Sequence, residues 1–96
     1  MATQGVTTID FGTTGSDFLT TTVTGQAWVT AVSDIEGYFF AEATSDNDAD
    51  AHALAAALCK ITCANRVAGV GFDILAVCED QVLTGTFKIR WVGAEP

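Results

Sequence analysis

Phe87, Ile89 and Trp91 fall on one parity of residues 84–92, and Thr86, Lys88 and Arg90 fall on the other. A period of two marks a half-buried β-strand, with one face packed and one face open to water or a partner. The same alternation recurs along the chain. Residues 7–12 read as a short first strand, and residues 17–24 set Leu19, Thr21 and Val23 against Phe18, Thr20 and Thr22. Residues 27–32 read as a third strand, or as the second continued beyond a bulge. In residues 35–44, Ile35, Gly37, Phe39 and Ala41 share one face, and Glu36, Tyr38, Phe40 and Glu42 share the other. Residues 72–79 place Phe72, Ile74, Ala76 and Cys78 together.

Polar or glycine-bearing stretches separate these runs: residues 12–17, 25–26, 33–34, 45–50, 65–71 and 79–81. The middle segment reads two ways. The alanines and leucines after His52 favour helix, and Asp48 or Asp50 can cap its start. Leu54, Ala56, Leu58, Lys60 and Thr62 also alternate. The reading taken is a helical turn over residues 50–54, then a strand over 56–64; a helix spanning 49–60 is the alternative. The pattern predicts one domain over residues 1–96. It is all-β, a small antiparallel sandwich or jelly-roll of about six to eight strands, with room for one short helix near 49–58.

Composition narrows the function classes. A net charge of −8 leaves no broad basic surface, which argues against nucleic-acid binding. No run approaches the ~20 apolar residues of a membrane span, and the first residues carry no signal-peptide pattern. Three cysteines cannot close a complete intramolecular framework, so reduced, buried thiols are expected for Cys59, Cys63 and Cys78.

Candidate chemistry is thin. Asp46, Asp48 and Asp50 match the opening of a helix-loop-helix calcium loop, but the sixth position is Ala51 and the twelfth is Ala57. His52 stands alone, and its expected role is structural. Cys59 and Cys63 lack a second pair for zinc. Gly69-Val70-Gly71 lacks the third glycine of a dinucleotide turn. Trp28, Tyr38 and Trp91 are the residues that could stack on a sugar or a base, or else serve as core and interface aromatics. No catalytic residue, metal or cofactor is expected.

Several segments together resemble a known group. They are Thr7-Thr8-Ile9-Asp10-Phe11-Gly12, Val23-Thr24-Gly25-Gln26, Ala41-Glu42-Ala43-Thr44 and Asp50-Ala51-His52. Asn65-Arg66-Val67-Ala68-Gly69-Val70-Gly71-Phe72 and Leu83-Thr84-Gly85-Thr86-Phe87-Lys88-Ile89-Arg90-Trp91-Val92 follow in the same order. The series is similar to small β-rich structural proteins of tailed bacteriophages. The resemblance implies a non-enzymatic virion component made in the bacterial cytoplasm. Its expected role is a head decoration (cement) protein, with a tail accessory protein as the alternative. It also implies a homotrimer that binds the major capsid protein or another virion protein, with no nucleic acid and no membrane partner. A small lectin-like carbohydrate-binding sandwich is the reading from another class. The residues expected at an oligomer or partner interface are Tyr38, Phe40, Lys88 and Arg90.

Overall fold

Strand alternation carries through into two three-stranded antiparallel sheets in the computed structural model, which describes residues 2–79 and 82–94. The elements are β1 (Ala2–Asp10), β2 (Phe18–Val23), β3 (Asp34–Phe39), α1 (Ala49–Leu58), β4 (Cys59–Val67), β5 (Gly71–Cys78) and β6 (Thr86–Ala94). The first sheet has the order β1-β6-β3 and the second β2-β5-β4. Each central strand is the one whose alternation is cleanest. Phe87, Ile89 and Trp91 of β6 face Phe72, Ile74, Ala76 and Cys78 of β5 across a shared apolar layer with Ile9, Ile35 and Phe39. Among the described residues, six strands and one short helix make a β-sandwich-like fold.

Several boundaries differ from the sequence reading. β1 begins at Ala2 and β6 runs to Ala94, so both are longer than their apolar cores suggested. β3 stops at Phe39. The helix is complete over Ala49–Leu58 and passes directly into β4, in place of a short turn followed by a strand from 56. Asp48 caps it, its carboxylate accepting the Ala51 N–H at 2.8 Å. The expected turn at 79–81 includes Asp80 and Gln81, which lie outside the described residues.

Residues 27–32 are not a strand. They belong to a loop that carries the chain from the second sheet to the first, and its backbone is satisfied by turns and by the β4–β5 connection. The Gln26 N–H donates to the Val70 carbonyl (2.8 Å), and the Gly69 N–H donates to the Val29 carbonyl (2.8 Å). The apparent alternation reflects two side chains that plug the core from a loop. Val29 is buried, and the Trp28 indole stacks on Trp91 with ring centroids 6.0 Å apart. Glycine makes that stack fit. A Cβ at Gly93 would overlap the Trp28 ring, and one at Gly5 would overlap Trp91.

The polar segment before α1 has a structural task. In an antiparallel ladder each residue directs its N–H and C=O to the same side. The β3-facing residues of β6 are Ala94, Val92, Arg90, Lys88 and Thr86, but β3 ends at Phe39. Side chains complete the edge. The Lys88 carbonyl accepts the Phe40 N–H (2.9 Å), while the Lys88 N–H donates to His52 Nε2 (2.8 Å). Two residues along β6, the Thr86 N–H donates to Asp46, and the Thr86 carbonyl accepts from Asn47 Nδ2 (2.9 Å) and Thr44 Oγ1 (2.9 Å). His52 is fully buried and Nδ1 lies 2.9 Å from the Asp48 carbonyl. Because Nε2 accepts, Nδ1 carries the proton and donates. Polar groups that would otherwise be orphaned at a buried strand end are thereby paired.

Candidate interaction surface

Tyr38, Phe40, Lys88 and Arg90 come together on the outer face of the first sheet. The register sets Tyr38 directly opposite Arg90, and Arg90 opposite Val6, in one row across β3, β6 and β1. The next row toward the His52 end joins Thr8 and Lys88, and there Phe40 binds the Lys88 carbonyl. On the other side lies the row Gln4, Val92 and Glu36. The parity of the strands explains the grouping: every second residue of β1, β3 and β6 points away from the core. Tyr38 is 49% exposed, Val6 46% and Val92 37%, so three large side chains stand open beside two cations.

The two cations are held differently. Lys88 Nζ pairs with Glu42 Oε1 at 2.5 Å. That hydrogen bond, followed by the attraction of the ammonium charge, holds the Glu42 carboxyl below the usual range. Arg90 instead lies over the Phe40 ring, its guanidinium carbon 4.3 Å from the ring centroid. Stacking on an aromatic face is a geometry that suits a planar guanidinium better than an ammonium. Arg90 Nε is buried with no hydrogen-bond partner among the described residues. In a chain with four basic and twelve acidic residues, this face carries half of the basic ones.

A groove of about 470 Å³ adjoins this face, where the free edges of β3 and β4 meet. Ile35, Gly37 and Tyr38 line one wall and Ile61 and Cys63 the other. Cys63 is the free thiol. Burial, and then the nearby Glu36 charge, push it up to about 11. A thiol so disposed is a packing group rather than a nucleophile at neutral pH.

Other candidate residues are occupied elsewhere. Asp46 is spent on β6: its carboxylate accepts from the Thr86 hydroxyl, the Thr86 N–H and the Thr44 hydroxyl. These bonds, the Thr86 hydroxyl first, hold it below the ordinary aspartate range. Asp48 caps α1. Trp91 is in the core, donating from Nε1 to Thr7 Oγ1 (3.1 Å), and Trp28 packs on it. Of the three aromatics considered for a sugar platform, only Tyr38 stands on an open face.

The cysteines depart from expectation. Cys59 and Cys78 form a disulfide instead of remaining reduced. They are direct cross-strand partners on β4 and β5. The Cys78 N–H donates to the Asp17 carbonyl on the β2 side, so toward β4 it lies at a non-hydrogen-bonded position, where side chains approach most closely. The β4–β5 register that pairs Cys59 with Cys78 depends on where helix gives way to strand.

No family model, no curated protein and no solved structure matches the chain. No helix among the described residues is long and apolar enough to cross a membrane.

Proposed function

We propose that this chain is a non-enzymatic structural protein of a tailed-phage particle, a capsid decoration protein that self-associates and docks through the outer face of the β1-β6-β3 sheet. The observation that carries the reading is the cluster of Tyr38, Phe40 and Arg90 flanked by Val6 and Val92. Tyrosine and arginine are enriched among residues that dominate association energies, and a stacked arginine loses little further freedom on docking. The sequence resemblance supplies the virion context, and the face supplies a surface suited to it. Lys88 and Arg90 give an otherwise acidic body a polarity that orients its approach to a shell. Many copies on a lattice add avidity to modest single contacts. The resemblance implies a homotrimer within the virion, after synthesis in the host cytoplasm.

The test is co-sedimentation of the purified protein with separated heads and tails of a tailed phage whose genome encodes this chain. Binding to heads, reduced at least tenfold by Arg90→Ala, supports the decoration reading. Binding to tails alone replaces it with a tail accessory role. Binding to neither, together with capture of a free glycan, moves the chain to the lectin class.

A further inference from the structure

Every open sheet has edges, and natural sheets protect them with charges, bulges, short length or cover. Three of the four edges here are protected. β3 carries Asp34 and Glu36 and faces β4 across the groove. β4 carries Lys60, a register break between Ala64 and Val67, and Asn65 at φ 53. β2 is six residues long. β1 also ends on an aspartate and approaches β2, but most of its length is less guarded. It runs for nine residues in unbroken register with β6, and it has no proline and no charge before Asp10.

Its hydrogen-bonding groups can be assigned to sides. The Phe11 N–H donates to the Gly85 carbonyl, so odd-numbered residues of β1 face β6. The N–H and C=O of Gln4, Val6 and Thr8 therefore point to the free edge, and β1 pairs with no strand but β6 among the described residues. The chain's charge of −8 opposes the approach of another copy nearly everywhere. The uncharged stretch before Asp10 is where that opposition is weakest.

We propose that the free edge of β1 pairs antiparallel with β1 of a second copy of this chain, fusing two first sheets into one continuous sheet. Centring on Val6 sets Val6 against Val6 and Gln4 against Thr8. Each of these pairs exchanges both backbone hydrogen bonds, and no like charges meet. The contact uses the sheet's edge, not the Tyr38 face, so it stands independently of the function proposed above. Alone it yields a dimer; combined with threefold association it closes six copies.

Native mass by light scattering tests it in the Tyr38→Ala/Phe40→Ala background, which removes the other face. The expected mass is twice that of the 10.0 kDa chain. Thr8→Pro in that background, which deletes an outward N–H and leaves the β6 ladder and the Tyr38 cluster in place, halves it. Gln4→Pro, at the residue set against Thr8 of the other copy, does the same. Amide exchange on the unaltered protein needs no variant: Gln4, Val6 and Thr8 are expected to exchange at least tenfold more slowly than the same amides in an unstructured peptide of this sequence. A folded double variant that is already monomeric, or a mass unchanged by Thr8→Pro, overturns the proposal. Peptide-like exchange at those three amides overturns it too, even if neither proline variant folds.

Discussion

His52 Nε2 accepts the backbone N–H of Lys88 at 2.8 Å, and so a helix side chain takes the place of a strand carbonyl. The same ring sits edge-on to Phe87 at 4.9 Å between centroids. One residue thus ties α1 to the central strand of the first sheet and helps position the outward Lys88 and Arg90. His52→Ala is predicted to lower unfolding free energy by about 2–4 kcal/mol, because it opens a cavity and strands a buried N–H. Urea denaturation measures this directly. A loss within about 0.5 kcal/mol, the range of ordinary surface changes, would show that the ladder does not need the ring.

Acid should loosen the clamp at Thr86, two residues along β6 from Lys88. Asp46 and Glu42 are both held below their ordinary values, by Thr86 and by Lys88 respectively. A carboxylate whose folded value is depressed adds stability that is complete above its unfolded value, about pH 4, and fades as pH falls through the folded one. Asp46→Asn should therefore be less stable than the parent at neutral pH, with the gap closing on acidification below about pH 4. Parallel thermal melts of the two proteins across that range check the sign. A gap that widens in acid contradicts it.

Cysteine chemistry separates the three thiols. Under denaturing, non-reducing conditions, alkylation should label only Cys63; after reduction all three cysteines should react. In the folded protein at pH 9, Cys63 should react far more slowly than an open cysteine, since its folded value is about 11. Loss of the Cys59–Cys78 bond, which closes a separation of 19 residues, is predicted to lower stability by about 3 kcal/mol. Three labels without reduction would refute the pairing.

Much of the sheet core is legible in the sequence because it obeys a period of two. Phe87, Ile89 and Trp91, and Phe72, Ile74, Ala76 and Cys78, are buried as their parity requires. What escaped the pattern has physical reasons. Trp28 and Val29 enter the core from a loop, so their burial mimics a strand. Gly5 and Gly93 carry no signal in the alternation, yet each vacates space for an indole from elsewhere in the chain. The polar run at 45–50 reads as a solvated loop, although Asp46 and Asn47 finish the ladder of a strand nearly forty residues away. Such pairings depend on tertiary register. The four outward residues were legible because β3 and β6 are adjacent and alternate in phase; their spacing did not reveal that Arg90 would stack on Phe40.

The vacated space makes a further prediction. Gly93→Ala should displace the Trp28 ring and cost about 1–3 kcal/mol, the range for overpacking a filled core. Near-UV circular dichroism should report the change, because Trp28 and Trp91 are stacked with an interplanar angle of 20°. An unaltered aromatic spectrum with parental stability would mean that the indole does not rest on Gly93.

The proposed function has the Tyr38–Phe40–Arg90 face join copies of this chain. Light scattering on a sizing column, comparing the parent with Tyr38→Ala/Phe40→Ala, tests it most directly. The expected outcome is a parent mass that is a discrete multiple of 10.0 kDa and a smaller mass for the folded double variant. Equal masses for two equally folded proteins would contradict it.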